Sequence, residues 1–156
     1  MANILVTGAT GLIGSQLLDP LSKMFNVHAI SRSKMNSDIG KITWHHIDLK
    51  DDFDVKELPK NIEAIIYLAQ SEDFKDFPTK AVDIFEINTV KLLKMLDYAR
   101  EVGAKKFIYA SSGCAIYGSY GKLPLEEDFI SMHLTTPYQI NKMTGEMYNN
   151  YYYHNY

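Results

Sequence analysis

The sequence predicts an α/β fold built on a doubly wound parallel sheet, and three observations carry the prediction. Five short apolar runs rich in β-branched residues alternate with longer segments of helical period. The first run leads straight into a turn bearing three glycines. The length, 156 residues, suits one domain with a proper core, whereas two domains would each be cramped. Composition excludes several other classes. With 16 basic against 19 acidic residues the net charge is −3, unlike the strongly basic face of a nucleic-acid binder. The single cysteine cannot close an internal disulfide, which excludes a disulfide-stapled secreted scaffold. No run of about 18 apolar residues could span a membrane, and the N-terminus lacks the features of a signal peptide. A soluble, cytoplasmic protein is expected. One oddity stands out: five of the eleven tyrosines crowd the chain after Met147.

Asn3–Thr7 reads as a strand without polar alternation, which suits a sheet covered on both faces. After the glycine turn, Ile13, Leu17, Leu21 and Met24 repeat at helical spacing and predict one buried stripe. Pro20 is expected to kink or weaken that helix. Asn26–Ile30 and Ile42–Ile47 predict the second and third strands. Asp51 and Asp52 are placed to cap a short helix ending before Pro59. Ala64–Ala69 predicts the fourth strand. The segment from Thr79 to Arg100 has the clearest helical pattern. Ala81, Phe85, Asn88, Leu92, Met95 and Ala99 share a stripe there, and Gly103 is placed to end it. Lys106–Ala110 predicts the fifth strand. After a loop bearing Gly, Ser and Pro, Pro137 opens a last helix that carries Tyr138 and Lys142. No repeat, low-complexity tract or linker interrupts the pattern, so residues 1–156 read as one domain.

The loop Gly8-Ala9-Thr10-Gly11-Leu12-Ile13-Gly14 follows the first strand and opens the first helix. Its first glycine permits a tight turn, its second lets backbone approach a pyrophosphate, and its third lets the helix pack on the strand. The helix start adds N–H donors and a positive dipole end. The spacing G-x-x-G-x-x-G lacks the Gly-Lys-Ser/Thr of a P-loop, so an ATPase is excluded. The plainer alternative, three glycines that merely turn the chain, does not account for the order strand, loop, helix.

The sequence resembles the short-chain dehydrogenase/reductase superfamily, in its extended, nucleotide-sugar epimerase/dehydratase branch. The resemblance rests on VTGATGLIG, Asp48-Leu49 after the third strand, Tyr67-Leu68-Ala69 at the fourth and Asn88 in the long helix. Ser111-Ser112, Ile116-Tyr117-Gly118 and Pro137-Tyr138-x-x-x-Lys142 complete an ordered set spanning nearly the whole chain. It implies a Rossmann-like NAD(P)-binding domain, with the dinucleotide on Gly8, Thr10, Gly11, Leu12, Ile13, Gly14, Ser31, Arg32, Asp48 and Leu49. Leu68, Ala69, Gln70, Asn88, Ser111, Tyr138 and Lys142 extend the same site. Asp48 would accept from the adenine amine, with loop capping as its compatible alternative, and Leu49 would flank the ring. The second strand ends in Ile30-Ser31-Arg32-Ser33 with no carboxylate for the ribose hydroxyls. Ser31 and Arg32 could instead meet a 2′-phosphate, which favours NADP over NAD, unless Arg32 is merely a solvated loop residue.

Tyr138 and Lys142 lie four apart on one helix and project from the same face. A free phenol has a pKa near 10 and is a poor base at neutral pH, but an ammonium within about 6 Å favours the phenolate. Such a phenolate can take a proton from a substrate hydroxyl as hydride leaves for nicotinamide. By resemblance Lys142 also bonds the nicotinamide ribose. Asn88 is a polar amide on an apolar stripe: either it bonds neighbouring backbone, or, as the resemblance implies, it positions the lysine through water. The resemblance places a Ser or Thr four residues before Tyr117, where this chain has Gly113, so Ser112 is the candidate for the substrate oxygen. Cys114 reads as a small buried filler. His45-His46 lacks a second ligand pair and reads as surface histidines rather than a zinc site, and no metal is expected. The acidic run from Asp48 to Asp54 lacks an EF-hand glycine and reads as solvated charge, as does Lys105-Lys106.

The reading that results is an NAD(P)-dependent epimerase, dehydratase or reductase acting on a nucleotide sugar. The alternative is a non-catalytic dinucleotide-binding or regulatory relative, which Gly113 favours and the retained Tyr138 and Lys142 oppose. The resemblance further implies a homodimer through two long helices, about Thr79–Arg100 and Tyr138–Tyr153. It also implies a chain that stops before the sixth strand and the C-terminal substrate lobe, leaving the tyrosine-rich tail to expect a missing partner.

Overall fold

The five apolar runs pair through their backbones into a single sheet. The computed structural model describes residues 1–35, 41–113, 124, 126, 129 and 133–156. The strands are β1 (Asn3–Thr7), β2 (Asn26–Ser31), β3 (Ile42–His46), β4 (Ala64–Tyr67) and β5 (Lys106–Tyr109). All pair in parallel, in the order β3-β2-β1-β4-β5. The chain therefore leaves β1 in both directions, and the C-terminal ends of β1 and β4 face the point where the strand order reverses. In open α/β sheets this is where ligands bind.

Helices cover both faces, which explains why the strands do not alternate apolar with polar. On one face Ile4, Val6, Val27, Ala29 and Ile42 pack with Leu18 of α1 (Leu12–Met24). On the other, Leu5, Ile30, Ile65 and Tyr67 pack with Leu92, Met95 and Leu96. These last three belong to α3 (Lys91–Glu101), which continues α2 (Ala81–Phe85) through a π-helical turn at Glu86–Val90. Burial of each such aliphatic side chain contributes about 1.5–3 kcal/mol. Gly103, at φ +66°, ends α3: Gly103 N–H donates to Arg100 O at 3.2 Å and Ala104 N–H to Ala99 O at 2.9 Å. That pair of bonds is a Schellman motif, formed at the glycine that the sequence places at the helix end.

The last helix, α4 (Pro137–Asn155), begins with a capping box that the sequence reading missed. Thr136 Oγ1 accepts from Gln139 N–H, while Gln139 Oε1 accepts from Thr136 N–H. Pro137 occupies the first turn, where a missing N–H costs nothing. The helix comes unusually close to β5. A Cβ on Gly145 would overlap the Tyr109 hydroxyl and lie 2.5 Å from Tyr109 Cζ.

Several expectations need correction. In α1 the buried face is Gly14 and Leu18, with Leu17 and Leu21 half-buried, while Ile13 and Met24 are exposed. The side-chain-free Gly14 allows contact where apolar spacing alone would not point. Pro20 lies inside the helix, where the sequence places it, and the helix continues to Met24. The cap near residue 51 is instead Asp54, whose carboxylate accepts from Lys56 N–H at the 3-10 turn Val55–Glu57. In the long helix Phe85 is exposed and Ile84 buried, because the extra residue in the π-turn shifts the upstream face by one position. His45 is half-buried and pairs with His28 at 3.0 Å, because strand alternation sends His45 and His46 to opposite faces. The tail tyrosines are also only partly free. Tyr152 packs on the core, and Tyr156 lies under the Arg100 guanidinium at 5.5 Å. Tyr151, Tyr153 and Tyr156 are exposed. Cys114 and Ile116-Tyr117-Gly118 lie outside the described residues, and no described helix is long and apolar enough to cross a membrane.

The tight seat of α4 gives a direct test. Gly145→Ala should destabilise the fold by about 1–3 kcal/mol through overpacking, read as a lowered thermal midpoint. Shortening Tyr109 to Leu in the same chain should restore part of the loss.

Candidate functional site

The loops at the C-terminal edge of the sheet meet around one cleft of about 540 Å³. That volume lies within the range of about 300–1,000 Å³ common to ligand sites. Its floor is the β1–α1 turn. Gly8 sits at φ +64°, and a Cβ there would lie 2.9 Å from Ala69 N, so only glycine lets β1 turn this close to the end of β4. Gly11 N–H donates to Gly8 O at 3.0 Å and closes the turn. A Cβ on Gly14 would overlap Gly8 O and lie 2.8 Å from Ala9 Cα. Thr7 secures the other side: its Oγ1 accepts from Leu68 N–H and Ala69 N–H, both at 3.1 Å. Thr7 was not among the residues singled out from sequence.

Gly11 caps α1 without a side-chain hydrogen bond, and the first turn holds no acidic residue. The helix start lines the cleft, and among the described residues no side chain caps its first N–H groups, an arrangement suited to a phosphate oxygen. Together with the glycine cradle, this fits a dinucleotide pyrophosphate.

Of the residues predicted to bind the dinucleotide, all but Asn88 line this cleft. Ser31 and Arg32 stand at the end of β2, and Ser31 Oγ accepts from Ser33 N–H at 3.1 Å. Asp48 accepts from Lys50 N–H at 2.9 Å, so it caps its loop while lining the cleft. Lys50, Ser71, Glu72, Asp73, Ile87 and Ala110 also line the wall and were not anticipated. Their position just beyond strand ends, or one residue from a named motif, was the available signal.

Tyr138 and Lys142 reach the cleft from α4. Lys142 is buried, and its Nζ donates to Ala110 O at 2.5 Å. The ammonium lies 5.0 Å from the Tyr109 ring centre and 5.8 Å from that of Tyr138. Burial holds the Lys142 amine below the ordinary lysine range, and burial pushes the Tyr67 and Tyr109 phenols up. One turn further along α4, Glu146 accepts from Ser111 Oγ at 2.5 Å. Ser111 lines the cleft, whereas Ser112 is half-buried outside its wall and Gly113 is exposed.

Asn88 sits in the π-turn, and its Oδ1 accepts from Ser71 N–H at 2.7 Å. It borders a small void of about 10 Å³ shared with Gln70, Tyr138, Asn141 and Lys142. A void of that size is about one water molecule's worth of space. The buried amide thus bonds neighbouring backbone and also faces the lysine.

A parallel sheet with its cleft at the strand reversal, a glycine cradle and an uncapped helix start define a Rossmann-type dinucleotide-binding protein. More particularly, the chain belongs to the NAD dependent epimerase/dehydratase family, whose model matches residues 4–156. A UDP-glucose 4-epimerase from Mycolicibacterium smegmatis is 31% identical over 169 residues, covering 95% of this chain and 50% of that protein. Among solved structures, an epimerase from Methanothermobacter thermautotrophicus is 34% identical with a TM-score of 0.88, over 99% of this chain and 48% of that one. The UDP-glucose 4-epimerase of Thermus thermophilus, solved in complex with NAD, is 26% identical with a TM-score of 0.83. That match covers 99% of this chain and 51% of the other. The chain spans about half the length of the curated relatives it matches.

The burial of Lys142 has a consequence for stability. Its folded pKa lies below the unfolded value of 10.5, so protonation favours the unfolded chain. The cost is fully present below the folded pKa and disappears as pH rises above the unfolded one. Lys142→Met should therefore melt no earlier than the parent at neutral pH, with its relative advantage shrinking towards alkaline pH in calorimetry. A markedly lower midpoint at neutral pH would mean that the bond to Ala110 outweighs desolvation.

Proposed function

We propose that this chain is the dinucleotide-binding half of an NAD(P)-dependent epimerase, dehydratase or reductase that acts on a nucleotide sugar. The observation that carries the reading is that Tyr138 and Lys142 line the same cleft as the glycine loop, although 130 residues separate Gly8 from Tyr138. Bound nicotinamide would supply hydride transfer. The chain's own residues would then handle the proton: Tyr138 exchanges it with a sugar hydroxyl, and the Lys142 ammonium beside the ring favours the ionised phenol. Lys142 is held in place by Ala110 O, and Asn88 faces it across the small void. The UDP-glucose 4-epimerases among the relatives support a nucleoside-diphosphate hexose as substrate.

The third group of the site is assigned to Ser112, with Ser111 the nearer alternative because it lines the cleft. Gly113 supports the second reading, a binding protein without turnover. Exposed Val82 and Phe85 on α2, with Ile140, Met147 and Tyr151 on α4, form apolar faces suited to pairing two copies through their long helices.

The test is direct. The chain should bind NADH or NADPH with a change in nicotinamide fluorescence, and Tyr138→Phe, which loses one hydroxyl of the cleft wall, should still bind. In an active full-length protein the same change should lower turnover of UDP-glucose or a related sugar nucleotide by about 10²- to 10⁴-fold. Intact turnover in Tyr138→Phe would sink the mechanism, and binding without any turnover would favour the non-catalytic reading.

Cofactor choice has its own measurement. The family's NAD dependence and the NAD in the Thermus structure point one way, while Arg32 and the missing carboxylate after β2 support NADP. Arg32→Ala should weaken NADPH about tenfold or more if Arg32 holds the 2′-phosphate, and barely change NADH. Equal losses for both would set the NADP preference aside.

A further inference from the structure

Lys50 follows β3 and Asp73 follows β4, strands that lie on opposite sides of β1. Both residues line the cleft, and Lys50 Nζ reaches Asp73 Oδ2 at 3.3 Å. This ion pair therefore joins two rims that follow strands not paired with each other. Its two ends are unequal. Asp73 is moored: Lys80 Nζ donates to its Oδ1 at 3.0 Å, and its own N–H donates to Ser71 Oγ at 3.1 Å. Ser71 N–H in turn donates to Asn88 Oδ1 in the π-turn, at 2.7 Å. The Asp73 side chain is 21% exposed and that of Lys50 48%. Lys50 is the arm that can swing away, and Asp73 is its fixed catch. Hydrogen bonds from Lys80 and Lys50 hold the Asp73 carboxyl below the usual carboxylate range, so the catch is charged at neutral pH.

We propose that the Lys50–Asp73 pair is an ionic latch across the cleft, which must open for a bound dinucleotide to leave. The inference rests on the reading of the cleft as a dinucleotide site. An exposed pair of this kind is weak, which suits a latch: it slows exchange without preventing it. Asp73 is on this view a positioning residue for the rim rather than a catalytic one. Its mooring through Ser71 to Asn88 ties the rim to the helix that borders the void beside Lys142.

The experiment is stopped-flow release of NADH, and separately of NADPH, from the parent chain and its variants at low and high salt. Asp73→Asn and Lys50→Gln should each speed release about two- to fivefold at low salt. The double variant should be no faster than the faster single, because both changes open one contact. Added salt should quicken release from the parent and leave the variants nearly unchanged, since screening removes what the substitutions have already removed. Lys50→Gln alters only an exposed side chain, so its result stands even if Asp73→Asn disturbs the loop. Parent-like release rates in Lys50→Gln, or fully additive effects in the double variant, would overturn the latch. A parent chain that binds neither dinucleotide would overturn the cleft reading and the latch together.

Discussion

The close approach of α1 to the ends of β1 and β4 is the constraint on which the rest of the cleft depends. Gly8 turns at a positive φ against the backbone of Ala69, and Gly14 lies against Gly8 O and Ala9 with no room for a side chain. If either contact opened, α1 would lift from the sheet. Its first turn would then no longer line the cleft at the strand reversal. Thr7 completes the join by accepting two backbone N–H groups, those of Leu68 and Ala69 just past β4, through one hydroxyl oxygen. A short stretch of backbone therefore makes the turn, the phosphate-facing donors and the link to β4 at once.

A second close approach sets the other wall. Gly145 lets α4 sit directly on Tyr109, and from there Lys142 reaches Ala110 O and Glu146 reaches Ser111. Both contacts fall just past the end of β5, so that strand end is where the Tyr138–Lys142 face is positioned. Lys142 is buried to make this contact, and its ammonium is met there by Ala110 O and by the Tyr109 and Tyr138 rings. A lysine held below its ordinary range by burial is a common feature of functional sites.

The glycine spacing, the five apolar runs, Gly103 and Pro137 were all readable because each is local: a turn, a strand period or a cap needs only neighbouring residues. The corrections fall where a distant contact decides. Ile13 and Met24 have helical spacing but face solvent, because the sheet meets α1 at Gly14. Phe85 and Ile84 exchange roles because a π-turn adds a residue to one helical turn, and no composition signal marks such a turn. His45 meets His28 only once β2 and β3 are paired. The same limit separates Ser111 from Ser112. Adjacent serines look interchangeable in a sequence, and the direction of the strand end determines which one lines the cleft.

The sequence by itself determined that this is a parallel α/β domain with a dinucleotide-type loop and a Tyr-x-x-x-Lys pair, and with that its family. Those features are short-range patterns that chain chemistry enforces wherever they occur. Only the tertiary structure decided which residues share one wall. The Lys50–Asp73 pair, Thr7 beneath Leu68 and Ala69, and the seat of Lys142 on Ala110 join segments from 23 to 62 residues apart. Such contacts exist because parallel strands bring their C-terminal ends to one edge, an outcome of sheet order that no local spacing encodes.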